Sequence, residues 1–150
     1  MKTKFLLLAA IVFTTITSLS AQAQGQMEVM RLKDVKWAPC DPKAPPSDPC
    51  QINYFRGNPE KEENYSMIEV KKGGSFPPHW HLHDEHIVVT KGTFVVAAEG
   101  GQEKDIILKP GDYIYIPARN VHWARCPEGC TFYLNVVGPD SYIDVKDQRP

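Results

Sequence analysis

The sequence has no cluster of basic residues and almost no net charge. Its 17 Lys and Arg side chains are matched by 18 Asp and Glu side chains, for a formal net charge of −1. Proteins that bind nucleic acid or anionic membranes electrostatically need a basic patch. We therefore expect neither as a partner, and expect a small molecule as ligand or substrate.

Long hydrophobic runs are also scarce, and the clearest one stands near Met1. Residues 5–16 are largely apolar, follow Lys2 and Lys4, and precede an A-x-A pattern at Ala21 and Ala23. This run is too short for a spanning helix but typical of a signal peptide. We predict a signal peptide over residues 1–23 and an exported protein, periplasmic or extracellular after cleavage. No cysteine stands at the cleavage point, so we expect no lipid anchor.

The predicted mature chain is long enough for one domain. It has about 127 residues, and the loss of two lysines leaves 15 basic against 18 acidic side chains, a balance of −3. A chain of this length buries enough surface for a single compact core. A homodimer is left open as an alternative to a monomer.

Cysteine is limited to four residues, an even number that suits disulfides in an exported domain. Cys40 and Cys50 bracket a proline-rich loop, and Cys126 and Cys130 flank a short Pro-Glu-Gly turn. Because a bridge needs close Cα atoms, we favour the pairs Cys40–Cys50 and Cys126–Cys130. Zinc coordination by the cysteines is the alternative, although neither pair has the C-x2-C spacing of a structural zinc site.

Helical periodicity is absent after residue 36. Residues 24–36 are ambiguous between strand and short helix, and residues 37–64 hold six prolines, which predicts an irregular arm laid against the domain. From Ser66 onward, short β-rich runs alternate with Gly and Pro turns, a pattern typical of an antiparallel sandwich or barrel. We expect an arm over 24–64, a barrel over 65–145 and a tail over 146–150. The predicted strands are 66–71, 76–82, 86–90, 93–98, 105–108, 112–116, 121–125 and 131–137.

Four of the five histidines lie between His79 and His86. His79 and His81 are two residues apart, so on an extended strand both project from the same face. Glu85 adds a carboxylate, and the remaining histidine, His122, follows later in the chain. Imidazole is the commonest metal ligand in proteins, and a carboxylate added to imidazoles suits a divalent first-row ion.

Two motifs carry these residues. The first reads Gly73-x5-His79-x-His81-x3-Glu85-x6-Gly92, and the second reads Gly111-x5-Pro117-x-Arg119-x2-His122-x3-Cys126. Together they resemble the two signature motifs of the cupin superfamily, in its small single-domain form. The first motif matches at every defining position, whereas in the second Arg119 replaces a glycine and Cys126 replaces an asparagine.

The resemblance implies an all-β fold, a double-stranded β-helix or jelly-roll barrel, preceded here by the proline-rich arm. It also implies one divalent transition metal, Fe, Mn, Ni or Zn, with His79, His81, Glu85 and His122 as its ligands. Double-sheet jelly rolls of this kind host many unrelated functions, so the fold does not select the reaction.

Other polar residues near the motifs are candidates for a pocket. His83 shares the parity of His79 and His81, but the spacing before Glu85 predicts a bend over residues 82–84 that turns it away. Tyr113 and Arg119 are the other pocket candidates, and Arg119 could hold a carboxylate or phosphate group. His86 is out of parity with the cluster.

Three imidazoles and one carboxylate leave coordination positions open on a five- or six-coordinate ion, as catalytic sites do. The sequence therefore favours a small exported metalloenzyme of the dioxygenase or isomerase type, whose catalytic residues beyond the metal ligands are not identified. The alternative is a non-catalytic module that binds or senses a small molecule or sugar, with a structural metal.

Overall fold

Short strands with alternating burial make up most of the chain. The computed structural model describes residues 27–100 and 102–146. The predicted signal peptide and almost all of the predicted C-terminal tail lie outside this range. One turn of 3-10 helix, Leu32–Asp34, precedes strands β1 to β11 of the described residues. These strands are Ala38–Pro39, Cys50–Gly57, Asn64–Val70, Gly74–Trp80, Glu85–Gly92, Phe94–Ala98, Gln102–Leu108, Tyr113–Ile116, His122–Cys126, Cys130–Val136 and Ile143–Asp144.

The strands form two antiparallel sheets that pack as a jelly-roll barrel. One sheet has the order β1-β2-β3-β10-β5-β8, and the other has the order β11-β4-β9-β6-β7. From β4 onward, consecutive strands lie in opposite sheets except for the β6–β7 hairpin, so β4 and β9 face β5 and β10 across the interior. The all-β architecture expected from the sequence is confirmed.

The core lies between the sheets because each strand buries alternate residues. In β3, for example, Asn64, Ser66, Ile68 and Val70 are buried while the residues between them are only half buried. This period of two places one row of side chains in the interior. The core consists mainly of aliphatic and phenyl side chains, among them Ile52, Ile68, Val70, Ile87, Val89, Phe94, Val96, Leu108, Ile116, Phe132, Leu134 and Val136.

The prediction of an irregular arm over residues 37–64 is wrong for its second part. Strand β2 occupies Cys50–Gly57 and pairs with β3 over its whole length. Five of the six prolines stand before Cys50, so their count masked the alternation of Ile52 and Tyr54, which do face the interior. The described residues before Cys50, 27–49, are irregular apart from the 3-10 turn and the short strand β1.

Both local disulfides are present. Cys40 bonds to Cys50 and Cys126 bonds to Cys130. The second bridge closes the turn between β9 and β10, where Gly129 adopts a positive φ of 82°. With all four cysteines paired, no thiolate is left for a zinc ion.

The turn after β5 requires a glycine. Gly92 has a φ of 76°, and a Cβ built there would lie 2.1 Å from the carbonyl oxygen of Gly129. A larger residue would therefore push β5 away from the turn that precedes β10. Within the described part of the chain, no helix is long and apolar enough to cross a membrane.

Candidate metal centre

Four polar side chains meet in the barrel interior at one end of the two sheets. His79 lies near the end of β4 and pairs in register with His122, the first residue of β9. Glu85 is the first residue of β5, in the opposite sheet, and His81 follows directly after β4. All four are buried, each with 7% or less of its surface exposed. The cluster therefore joins the two sheets across the core.

The donor atoms of this cluster are close enough to share one ion. The ring nitrogens offered by His79, His81 and His122 lie within 4.8 Å of one another. Oε2 of Glu85 lies 3.4 Å from Nε2 of His81 and 3.5 Å from Nε2 of His122. Ligands bound to a zinc-like ion at about 2 Å sit roughly 3–4 Å from each other, so the three histidine donors, at up to 4.8 Å, need only a small shift to share one ion.

The backbone fixes the orientation of two imidazole rings. Nδ1 of His79 donates to the carbonyl oxygen of Pro77 at 2.7 Å, and Nδ1 of His122 donates to that of Asn120 at 2.9 Å. A carbonyl oxygen only accepts, so Nδ1 carries the proton in both rings and Nε2 keeps its lone pair for an ion. The Ser141 backbone lies beside His81 and raises its pKa, but Nδ1 of His81 makes no hydrogen bond of ordinary geometry.

The electrostatics of the four side chains by themselves favour neutral groups. Burial, reinforced by the neighbouring His122, lowers the pKa of His79 to about 3 and that of His81 to about 4. Burial also lowers the pKa of His122. Burial, with a smaller contribution from Asp140, raises the pKa of Glu85 to about 8. At neutral pH the imidazoles are therefore uncharged and the carboxyl is mostly protonated.

This protonation pattern indicates whether the cluster is an ion-pair network or a metal-binding site. The short contacts between Glu85 and the histidines are not ion pairs, because neither partner is charged. A divalent cation would compensate an ionised Glu85 and use the free lone pairs of neutral imidazoles. A buried set of three imidazoles and one carboxyl group thus fits a transition-metal ion better than it fits a salt-bridge network.

Sequence reasoning missed an aromatic ring that covers this cluster. Tyr142 stacks on His79 with ring centroids 4.2 Å apart and planes 14° from parallel. It also meets His81 edge to face at 5.8 Å. Tyr142 belongs to the segment 137–146, which crosses the end of the barrel. Two contacts hold this segment in place: the Leu82 N–H donates to Ser141 Oγ at 2.8 Å, and β11 pairs with β4. A lone tyrosine outside both motifs has no spacing signal that could have identified it.

A cavity of about 540 Å³ extends from the cluster between the sheets. This volume lies in the range of small-molecule pockets, about 300–1,000 Å³. Its walls are largely aliphatic and phenyl side chains of the core, and the loop between Cys40 and Cys50 covers part of it. The polar groups that reach the cavity, besides His79, His81, Glu85 and His122, include Tyr54, Tyr142, Asp41, Asp48 and Asp140.

The three pocket candidates taken from the sequence lie elsewhere. His83 stands in the bend between β4 and β5 and packs against Gly138, where a built Cβ would come within 2.5 Å of its ring. Tyr113 is 54% exposed, and its hydroxyl shares a hydrogen bond of 2.7 Å with Nδ1 of His86 on the outer face of β8. The assignment of Tyr113 to the pocket is wrong because Ile114 and Ile116, of opposite parity, are the residues of β8 that turn inward.

Arg119 is also outside the cavity. It is exposed, and its guanidinium lies 5.6 Å from the centroid of the Trp80 ring. Its backbone N–H donates to the carbonyl oxygen of His81 at 2.8 Å. With a φ of 63°, Arg119 is the one described non-glycine residue in the left-handed region, at the position where the second motif usually has glycine. The loop geometry of the motif is thus kept without its glycine, while the predicted anion-binding role has no support in the cavity.

Comparisons with known proteins agree with this fold. The model of the cupin domain family matches residues 66–137. KdgF from Halomonas sp. is 21% identical, over 76% of this chain and 94% of its own, with a TM-score of 0.59. The polyketide cyclase RemF from Streptomyces resistomycificus is 21% identical, over 80% of this chain and 86% of its own, with a TM-score of 0.64.

An acetylacetone dioxygenase from Acinetobacter johnsonii is similarly related, at 21% identity over 84% of each chain, with a TM-score of 0.62. At these identities the likeness establishes a common fold. A search of curated proteins finds no match to this chain.

Proposed function

Because the chain belongs to the cupin superfamily, we propose that it is a small exported metalloenzyme that binds one divalent transition metal and acts on a small organic substrate. The ligands are His79, His81, Glu85 and His122. Iron, manganese, nickel and zinc all accept such a mixed imidazole and carboxylate set. Dioxygenase and isomerase chemistry are the reaction types that we favour.

The observation that carries this proposal is the position of the four ligands in the wall of the 540 Å³ cavity. A structural metal site is closed by its own ligands, whereas a catalytic site keeps positions open toward a substrate. When bound, the ion would supply Lewis-acid polarisation of a substrate oxygen or, as iron, reactivity toward dioxygen. The surrounding apolar walls would exclude bulk water and hold the substrate beside the ligands.

Export is supported by two features. The A-x-A pattern at Ala21 and Ala23 predicts cleavage by signal peptidase. The two disulfides suit an oxidising compartment outside the cytosol.

The test combines metal content with turnover. Protein purified from the periplasm is analysed for bound elements and then incubated, with and without oxygen, with a panel of small enols, diketones and sugars. We expect about one ion per chain and conversion of at least one compound, with both lost together in His122→Ala. Conversion that persists in metal-free His122→Ala protein would show that the metal is not the catalytic group.

A non-catalytic binding function is the second candidate, and one observation favours it. Apart from the proposed ligands, the ionisable groups among the described cavity residues are three aspartates and two tyrosines. Burial and the nearby Asp140 raise the pKa of Tyr54, so it is a poor proton donor at neutral pH. Tight binding of a compound that the metal-loaded protein never converts would support this alternative.

A further inference from the structure

The charges around the cavity point to the class of molecule that it accepts. We propose that the cavity takes small organic molecules with an apolar body and an uncharged or cationic hydrogen-bond donor group, and that it discriminates against carboxylates and phosphates. This inference rests on the proposed function, because it assigns the substrate class of the same site.

The apolar walls of the cavity require a ligand whose body is also apolar. Most of the cavity surface comes from hydrocarbon side chains of both sheets, including Ile52, Ile68, Val70, Ile87, Phe94 and Phe132. A polar group placed against these walls would lose its hydration without gaining a hydrogen bond, which weakens binding by about tenfold or more. The middle of the ligand is therefore hydrocarbon.

No positive side chain balances a negative ligand. Among the described residues that line the cavity there is no Lys or Arg, whereas Asp41, Asp48 and Asp140 are all present. Arg119, the one cation that sequence analysis had placed at the site, lies over Trp80 instead. The lining therefore disfavours anions in two ways: it offers no cationic side chain to pair with them, and its carboxylates repel them.

Asp140 is the carboxylate best placed to receive a ligand. It is exposed while lining the cavity, so it stands at an opening. Its Oδ2 accepts the Tyr54 hydroxyl at 2.8 Å, and its own N–H donates to the Pro59 carbonyl oxygen at 2.7 Å, which holds the residue in place. No salt bridge engages Asp140 in the described part of the chain.

The preference belongs to the cavity walls and not to the ion. A divalent ion with an ionised Glu85 would keep one net positive charge and an open position that coordinates a carboxylate directly, so the walls are tested on metal-free protein. The aromatic faces of Tyr54 and Tyr142, both in the lining, add an electron-rich surface that favours a cation over an anion.

The test uses three probes with the same ring and nearly the same size: benzylamine, benzyl alcohol and benzoate. Binding is measured by calorimetry on the full mature protein after bound metal has been removed with a chelator. Benzylamine gains a charge-assisted hydrogen bond, whereas benzoate loses hydration without gaining a cation. The penalty on benzoate is worth about tenfold or more, so we expect benzylamine and benzyl alcohol to bind at least about tenfold more tightly than benzoate. In Asp140→Asn, benzylamine should lose about tenfold while benzyl alcohol changes by no more than about twofold.

Asp34→Asn is the matched control, since it removes the same charge from the exposed 3-10 turn and should leave all three affinities unchanged. Benzoate binding as tightly as benzylamine to the wild-type protein would overturn the proposal, whether or not the Asp140 variant folds. A zinc titration of the same protein, followed by elemental analysis, separates this result from failure of the proposed function. If no zinc is bound, the metalloenzyme proposal fails, while the same order of probes on the metal-free protein would still support the substrate class.

Discussion

Glu85 is the residue whose protonation links the ligand cluster to pH. Without metal its pKa is raised to about 8, so an incoming ion must displace a proton at any lower pH. The histidines add no competing proton near neutrality, since the pKa values of His79 and His81 are about 3 and about 4. We expect metal affinity to rise about tenfold per pH unit up to about pH 8 and then to level off.

Competition titrations with a zinc chelator between about pH 6 and about pH 9 measure this slope. The isosteric variant Glu85→Gln has no proton to lose, so its affinity should be weaker and nearly independent of pH over the same range. An unchanged slope in Glu85→Gln would place the displaced proton on another group.

Tyr142 acts on the ligand cluster through the His79 ring that it covers. Removing groups that orient a metal-binding histidine typically costs about 10–100-fold in metal affinity. Tyr142 makes a stacking contact with His79 rather than a hydrogen bond, so we expect about tenfold weaker zinc binding in Tyr142→Ala and little change in Tyr142→Phe. Tyr113→Ala, on the outer face, is the control. Equal losses in the alanine and phenylalanine variants would assign the effect to the hydroxyl instead.

At the scale of elements, the two disulfides hold loops that shape the barrel ends. The Cys40–Cys50 bridge spans 10 residues of sequence and the Cys126–Cys130 bridge spans 4. In the chain-entropy description, removing these bridges costs about 3 and about 2 kcal/mol of unfolding free energy respectively. Urea unfolding of the paired Cys→Ser variants would measure both.

The two variants differ in their effect on the cavity. Residues at both ends of the Cys40–Cys50 loop line it, so loss of that bridge should also weaken probe binding. The Cys126–Cys130 variant is the internal control, because neither of its cysteines is in the lining. Equal effects of the two variants on probe binding would show that the loop does not cover the cavity.

Whether a part of the fold or of the site can be predicted from the sequence depends on whether it has a local sequence pattern. The alternation of β3 and β10 and the parity of His79 and His81 are local patterns, and the structure follows them. The bend predicted over residues 82–84 is also present, and it turns His83 toward Gly138. Strand β2 was missed because a composition average hid its alternation.

The cavity residues beyond the motifs could not have been found in this way. Tyr54 and Asp140 are 86 positions apart and meet only because β2 and the segment after β10 lie at the same barrel end. Tyr142 likewise reaches His79 through the pairing of β11 with β4. Such contacts depend on tertiary topology, which has no short-range pattern in the sequence. The same limit explains the wrong placement of Arg119. The error on Tyr113 is of another kind, because the parity of Ile114 and Ile116 already places Tyr113 on the outer face.

For the whole molecule, metal binding should be a source of stability. The proposed ligands come from β4, its C-terminal extension, β5 and β9, so an ion would tie both sheets together. A ligand present at 100 times its dissociation constant adds about 2.7 kcal/mol, or roughly 10 °C in the unfolding midpoint for a domain of this size. Thermal unfolding with zinc and with a chelator measures the shift. A midpoint that zinc does not move would mean that the folded state has no preferential site.

The most direct test of the metal centre is the metal content of four single variants purified side by side. His81→Ala and His122→Ala each remove a donor that lies within 4.8 Å of the other histidine donors, so both should lose most of the ion that wild-type protein carries. His83→Ala and His86→Ala remove imidazoles of the same sequence cluster that lie outside the cavity, and both should keep about one ion per chain. Loss of metal in His83→Ala equal to that in His81→Ala, or full metal content in His122→Ala, would contradict the ligand set.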